Sequence, residues 1–282
     1  MNKGYFIITL IAIICFTGCT ASKKYKDIDY LGREVEKGER PTLNVFVPRK
    51  MDAEKAPVII FVHGGNWNSG KKELYNILGR NFAKKDLVAV IPGYTLSPDA
   101  SYDMMAHQIA EAIKWSLDSI GQYKGDPQQI YLTGHSAGAH LVALVATNPD
   151  YDIRQEDIAG VILNDAAGLD MHHYLMNNPP TSNEHYITTW SKDPQIWEEA
   201  SPINYLDENA PPFMIYLGSK TYGSIKTANE RFLKALKPYQ PGVKPIIIDK
   251  KHIPMVMQYL WPWNDRYDEI VEFINTREGD GI

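Results

Sequence analysis

Residues 131–141 read Tyr-Leu-Thr-Gly-His-Ser-Ala-Gly-Ala-His-Leu, and the types and spacing in this stretch suit nucleophilic chemistry at Ser136. Residues 129–133 form a short β-prone apolar run, and residues 139–146 are Ala-rich helix formers, so Ser136 falls on the turn between a strand and a helix. A sharp strand-to-helix turn strains the serine backbone and crowds its neighbours, which is a physical reason for Gly134 and Gly138. A Gly-x-Ser-x-Gly match is weak by itself, and a serine there is also a good helix N-cap. The flanking strand and helix favour the nucleophile, which then needs a base, an acid and oxyanion donors from elsewhere in the chain.

A second stretch offers the donors. Residues 57–62, Pro-Val-Ile-Ile-Phe-Val, are a continuous apolar run of the kind that forms a strand covered on both faces, and they lead into His63-Gly64-Gly65-Asn66-Trp67. Two consecutive glycines let backbone amides approach a ligand closely, as is required where charge develops on a carbonyl oxygen. The expected donors are the N–H groups of Gly65 and Asn66, together with that of Ala137 just past the serine. His63, which leads the loop, is expected to brace it by hydrogen bonds and not to act as the base.

The elements that position these loops alternate. Residues 25–31 and 43–47 read as two antiparallel edge strands, 74–84 as a helix, and 87–91 as a buried strand. A long helix over 102–120 has Met105, Ile109, Ala112, Ile113 and Leu117 on one face, with His107 off it. After the serine turn, 158–165 is a strand ending in a carboxylate, followed by strands at 211–218 and 244–249 and helices at 224–237 and 267–276. This pattern predicts an α/β fold with a mostly parallel, eight-stranded sheet and helices on both faces. Residues 166–207 are Pro- and aromatic-rich, with Tyr174, Tyr186, Trp190 and Trp197, and are expected to form a lid-like insertion that sets selectivity. His172, His173 and His185 lack ligand spacing, so no metal is expected, and no other cofactor.

The chain has 282 residues, 44% of them apolar, enough for one substantial core and one domain. Its 29 Lys and Arg against 34 Asp and Glu give a net charge of −5, which argues against a nucleic-acid partner. At the N-terminus, Lys3 followed by an apolar run over 5–16 reads as an export signal. Phe16-Thr17-Gly18-Cys19 resembles the bacterial lipoprotein box, with Phe16 in place of the usual leucine. That resemblance implies cleavage after residues 1–18, lipidation of Cys19 and, with Thr20 and not Asp after it, the outer membrane; an ordinary signal would give a secreted protein. Residues 19–26 are then a tether and 27–278 the folded domain. Cys15 leaves with the signal and Cys19 is the anchor, so no disulfide is expected.

The motif set His63-Gly64-Gly65-Asn66-Trp67, Tyr94-Thr95-Leu96-Ser97-Pro98, Asp126-Pro127 and Gly134-His135-Ser136-Ala137-Gly138-Ala139-His140-Leu141 resembles the α/β-hydrolase esterases. The nearest branches are hormone-sensitive-lipase-like, feruloyl-esterase-like and arylformamidase-like, and the resemblance covers about residues 41–274. Thr95 departs from the arginine usual after the tyrosine, which implies loss of a structural ion pair. The resemblance also implies that His252, on the loop after the last strand, is the general base.

The usual acid is missing. These esterases carry it in a Gly-x-x-Asp pattern after the strand ending at Gly218, where this chain has Thr221 and no carboxylate. Pancreatic-type lipases take their acid from the end of the preceding strand, which makes Asp165 the leading candidate and Asp170 the second, ahead of Asp249 and Glu230. The implied activity is a serine carboxylesterase acting on small acyl, aryl or carbohydrate-linked esters, reaching the membrane only through its lipid. Two rivals remain at this point: a non-catalytic binding protein on the same scaffold, and an amide or peptide hydrolase. The oligomeric state is left open.

Overall fold

The computed structural model describes residues 22–279 except Arg33, Glu36 and Asp52. Among the described residues, eight strands form one sheet: β1 (Ser22–Asp29), β2 (Thr42–Pro48), β3 (Ala56–Val62), β4 (Val88–Pro92), β5 (Gly125–His135), β6 (Gly160–Asn164), β7 (Phe213–Gly218) and β8 (Ile246–Ile248). Their spatial order is β1-β2-β4-β3-β5-β6-β7-β8. The β1–β2 and β2–β4 pairs are antiparallel, and every other pair is parallel. The C-terminal ends of β3, β5, β6, β7 and β8 therefore open on one side of the sheet, where loops from distant parts of the chain meet.

The helices are α1 (Asn76–Ala83), α2 (Tyr102–Ser119), α3 (Ala137–Thr147), α4 (Met171–Asn177), α5 (Glu184–Trp190), α6 (Pro194–Glu199), α7 (Gly223–Leu236), α8 (His252–Met257) and α9 (Asp265–Gly279). The two-residue period of the strands sends alternate side chains to two cores. Val58, Ile60 and Val62 of β3 join Ile109 and Ile113 of α2, Leu141 and Leu144 of α3 and Phe232 of α7 on one face. Ile59 and Phe61 face the other way, against Leu78 and Phe82 of α1 and Ile270 and Ile274 of α9. Both faces being covered, the central strands carry the unbroken apolar runs seen in the sequence.

Several boundaries differ from expectation, one of them by enough to matter. The expected tether over 19–26 does not extend to 26, because β1 already begins at Ser22, which pairs with Pro48 while Lys23 pairs with Val47. An edge strand needs only one backbone partner and tolerates lysines on its open side, so charge there does not signal a linker. The expected export signal and Cys19 lie outside the described residues. His252, expected on a loop, instead opens α8. The expected helix over 74–84 starts as a tight turn at Lys72–Tyr75 before α1. The expected lid segment folds into α4, α5 and α6. Among the described residues, no helix is long and apolar enough to cross a membrane.

Candidate active site

Ser136 sits between the end of β5 and the start of α3 with φ 56° and ψ −120°, a conformation that L-residues seldom adopt. Its neighbours explain the glycines. A Cβ on Gly134 would lie 2.5 Å from the Gly138 carbonyl carbon, and one on Gly138 would lie 2.1 Å from the Val62 carbonyl oxygen. The strand and helix can close on each other only without side chains at those positions.

Ser136 Oγ lies 2.8 Å from Nε2 of His252, and Nδ1 of His252 lies 2.6 Å from Oδ2 of Asp165. Asp165 has no solvent exposure and follows β6 directly, with φ 52°. Aspartate is among the few residues that tolerate that left-handed conformation. Its Oδ1 accepts the Gly218 N–H at 2.9 Å, and its Oδ2 also accepts the Thr221 hydroxyl at 2.5 Å. Donors on both oxygens compensate the cost of burying a carboxylate.

The other candidate acids are engaged elsewhere. Asp170 caps α4 by accepting the His173 N–H at 3.0 Å, and pairs with Arg231 Nε at 2.6 Å. Asp249 accepts from Ser219 Oγ and Lys220 Nζ on the surface, and Glu230 is exposed on α7. Of the four carboxylates weighed, the fold brings Asp165, at the end of β6, to His252 and holds the other three elsewhere.

The backbone around Gly65 is unusual. Gly65, Asn66 and Trp67 have φ of 128°, 52° and 58°, and the Gly65 carbonyl accepts from the N–H groups of Asn68 and Ser69 at 3.1 and 2.9 Å. A Cβ at Gly65 would lie 1.9 Å from the Ser69 carbonyl oxygen, so only glycine fits. Gly65, Asn66, Ser136 and His252 line one cavity of about 1000 Å³. Ala137 is fully buried as the first residue of α3, where no preceding helical turn takes its N–H.

His63 braces this loop, as expected. Its ring is stacked on those of Tyr94 at 4.5 Å and Tyr75 at 5.9 Å, and its Nδ1–H donates to the Gly64 carbonyl at 2.8 Å. Burial drives its pKa down to about 4, which keeps it neutral. His140 is likewise pushed down to about 4 by burial; its Nδ1 accepts from the Trp67 indole at 3.2 Å and its Nε2–H donates to Ala200 O at 2.8 Å. A chain of contacts therefore ties the Gly65 loop to α3 and the lid.

The lid aromatics divide into two kinds. Tyr174 and Tyr186 line the cavity. Trp190 and Trp197 are buried inside the insertion, where the Trp197 indole donates to Trp190 O at 2.9 Å and Trp190 packs edge-on against Trp67 at 4.7 Å. Of the four aromatics in the segment expected to set selectivity, only the two tyrosines line the cavity, where Ala167, Gly168, Met171 and Asn178 of the same segment join them. At Thr95, the expected loss of an ion pair is matched by a neutral pair: the Thr95 N–H donates to Gln108 Oε1 at 2.7 Å, and Gln108 Nε2 donates to Thr95 Oγ1 at 2.9 Å.

Two residues near the imidazole were not singled out as contributors by the sequence. His135 donates Nε2–H to the His252 carbonyl at 3.1 Å, and its ring lies 4.5 Å from that of His252. Burial first, and the neighbouring His252 second, push His135 down to about 4. Thr221 stood out only for occupying the usual place of the acid; its partner is 56 residues away, so no local signal marks the contact. Among the described residues, His135, Asp165 and His252 are the one group of three close enough to share a metal. Both nitrogens of His252 and Nε2 of His135 are already hydrogen-bonded, which leaves no convergent set of free ligand atoms. His172, His173 and His185 do not form such a group.

Comparison with known proteins places this geometry. The family model BD-FAE matches residues 43–222, more than half of the chain and a span that includes Ser136, Asp165 and Thr221. The probable isoprenylcysteine alpha-carbonyl methylesterase ICMEL1 of Arabidopsis thaliana is 25% identical over 271 residues, covering 88% of this chain and 56% of its own length. Esterase LipQ of Mycobacterium tuberculosis is 30% identical over 189 residues, covering 61% of this chain and 44% of its own. The chain thus spans about half the length of the curated relatives it matches. Among solved structures, esterase B from Lactobacillus rhamnosis superposes with a TM-score of 0.75 at 20% identity, covering 92% of this chain and 88% of its own, and shares the fold. With its sheet order, its strand-end loops and the matched span taken together, the chain belongs to the BD-FAE family of the α/β-hydrolase esterases.

Proposed function

We propose that the chain is a serine carboxylesterase that cleaves small acyl or aryl esters, including esters carried on carbohydrate, through an acyl-enzyme. One observation carries the reading: an unbroken hydrogen-bonded relay from Ser136 Oγ through both nitrogens of His252 to a fully buried carboxylate, opening on a cavity of about 1000 Å³. The relatives whose names call them esterases add support from a second direction.

In this reading Asp165 accepts Nδ1–H and so selects the tautomer that leaves Nε2 free to take the Ser136 proton. As Oγ bonds to the acyl carbon, the carbonyl oxygen gains negative charge, and the N–H groups of Gly65, Asn66 and Ala137 hold it. His252 passes its proton to the alcohol as the ester C–O bond breaks. It then takes a proton from water, whose oxygen attacks the acyl-serine, and returns that proton to Ser136 as the acid departs. The residues supply each step without a cofactor. The test is Ser136→Ala assayed with p-nitrophenyl acetate, alongside fluorophosphonate labelling of the wild-type protein. The reading expects turnover and labelling to be lost together in the variant, and unchanged turnover sinks it.

The same proposal places the enzyme at the cell envelope, held by a lipid on Cys19, on the strength of Phe16-Thr17-Gly18-Cys19. Radiolabelled palmitate should enter the wild-type protein and not Cys19→Ala, and equal labelling of both would remove the anchor from the account.

A further inference from the structure

Thr221 stands where the resembling esterases carry their acid. Its hydroxyl donates at 2.5 Å to Oδ2 of Asp165, the oxygen that lies 2.6 Å from His252 Nδ1. Asp165 Oδ1 is held separately by the Gly218 N–H at 2.9 Å. The terminal torsion of an aspartate is broad, so one donor on one oxygen leaves the plane of the carboxylate poorly fixed. A second donor on the other oxygen sets that plane, and with it the direction in which Oδ2 meets the imidazole.

The hydroxyl is itself well placed to do this. Thr221 is nearly buried, and its loop is pinned to the segment that leads into His252: the Ser219 N–H donates to Ile248 O at 2.8 Å and the Lys220 N–H to Lys250 O at 3.1 Å. Thr221 closes a tight turn by donating its own N–H to Gly218 O at 3.2 Å. Hydroxyl, carboxylate and imidazole are thus referred to one local frame, built from the ends of β6, β7 and β8.

We propose that Thr221 is a positioning residue for the acid, holding the Asp165 carboxylate against His252 Nδ1. Relative to the resembling esterases, the carboxylate has moved: the acid comes from β6, and the β7 loop that would carry it supplies the hydroxyl that orients it. The inference rests on the esterase reading for its kinetic readout only.

The experiment compares the full chain with Thr221→Val, which keeps the shape and removes the hydroxyl, and Thr221→Ser, which keeps the hydroxyl. With p-nitrophenyl acetate, Thr221→Val should lower kcat about tenfold, the effect of one hydrogen bond to a charged group, with KM within twofold of wild type. Thr221→Ser should retain kcat within about twofold, which a purely steric role does not predict. Independently of turnover, the low-field proton signal of His252 Nδ1–H should persist in wild type and Thr221→Ser and should shift or broaden in Thr221→Val. A Thr221→Val protein with wild-type kcat, or with an unaltered proton signal, overturns the inference. A wild-type protein that turns over no ester but shows the predicted change in proton signal overturns the esterase reading and supports this one.

Discussion

Oδ2 of Asp165 lies 2.6 Å from Nδ1 of His252, although the two residues are 87 positions apart in the chain and sit at the ends of different strands. Asp170, five residues beyond Asp165, points elsewhere: it caps α4 and pairs with Arg231. Asp170→Ala should therefore cost stability and not chemistry. The expected loss is roughly 1–2 kcal/mol, the usual cost of removing a helix N-cap, with kcat for p-nitrophenyl acetate within about threefold of wild type. Urea unfolding and steady-state kinetics on the same preparation check both halves.

His135 holds the backbone of His252 through its Nε2–H. Replacing it with Phe keeps a ring of similar size but leaves the His252 carbonyl without that donor. A neutral hydrogen bond is worth about 1 kcal/mol net, so kcat should fall by up to about tenfold while KM stays within twofold. A variant with unchanged kcat would show that the ring contact alone is sufficient.

Three buried histidines, His63, His135 and His140, have pKa values pushed down to about 4 by burial. In the unfolded chain each returns to an ordinary imidazole near 6.5, so below that pH the unfolded state binds more protons than the folded one. Stability therefore falls as the pH drops from about 6.5 towards 4, with a limiting slope of roughly 1.4 kcal/mol per pH unit for each histidine. Unfolding free energies measured in urea at pH 7.5, 6 and 5 should decline progressively, by roughly 2 kcal/mol over the first interval and by more over the second. A flat profile down to pH 5 would contradict the burial of neutral imidazoles.

Trp190 is fully buried, and among the described residues its indole N–H has no acceptor. Trp190→Ala should cost roughly 3–5 kcal/mol, as large-to-small core changes do. Trp190→Phe removes the unpaired N–H as well as some volume, so its cost should stay below about 1.5 kcal/mol. Thermal denaturation of the two variants separates these expectations, and a Phe variant as unstable as the Ala variant would mean that the indole N–H contributes favourably.

What could be read from the sequence follows the range of each interaction. The Ser136 turn is specified within five residues, because Gly134 and Gly138 exclude their own Cβ atoms, and it is recognisable locally. The central strands are visible because burial on both faces forces unbroken apolar runs such as 57–62. Ser22–Asp29 is legible only in part: residues 25–31 read as an edge strand antiparallel to 43–47, whereas the lysines at 23 and 24 give its start the composition of a tether. The lid helices span only six or seven residues, too few for helical periodicity to emerge from an aromatic and proline-rich segment. Thr221 and His135 reach their partners across 56 and 117 residues, so their contributions depend on where four strands end and not on any local pattern. Asp165 was reachable only by analogy with a second arrangement of the fold, once Thr221 had been found in the expected place of the acid.

The relay is tested most directly by kcat for p-nitrophenyl acetate in Asp165→Asn, a change that keeps the left-handed backbone accessible and an acceptor for the Gly218 N–H. The account predicts a loss of roughly a thousandfold to ten-thousandfold in kcat with the fold intact, as when a triad carboxylate is neutralised and the imidazole takes the wrong tautomer. A variant that stays folded and retains kcat within about threefold of wild type would contradict it.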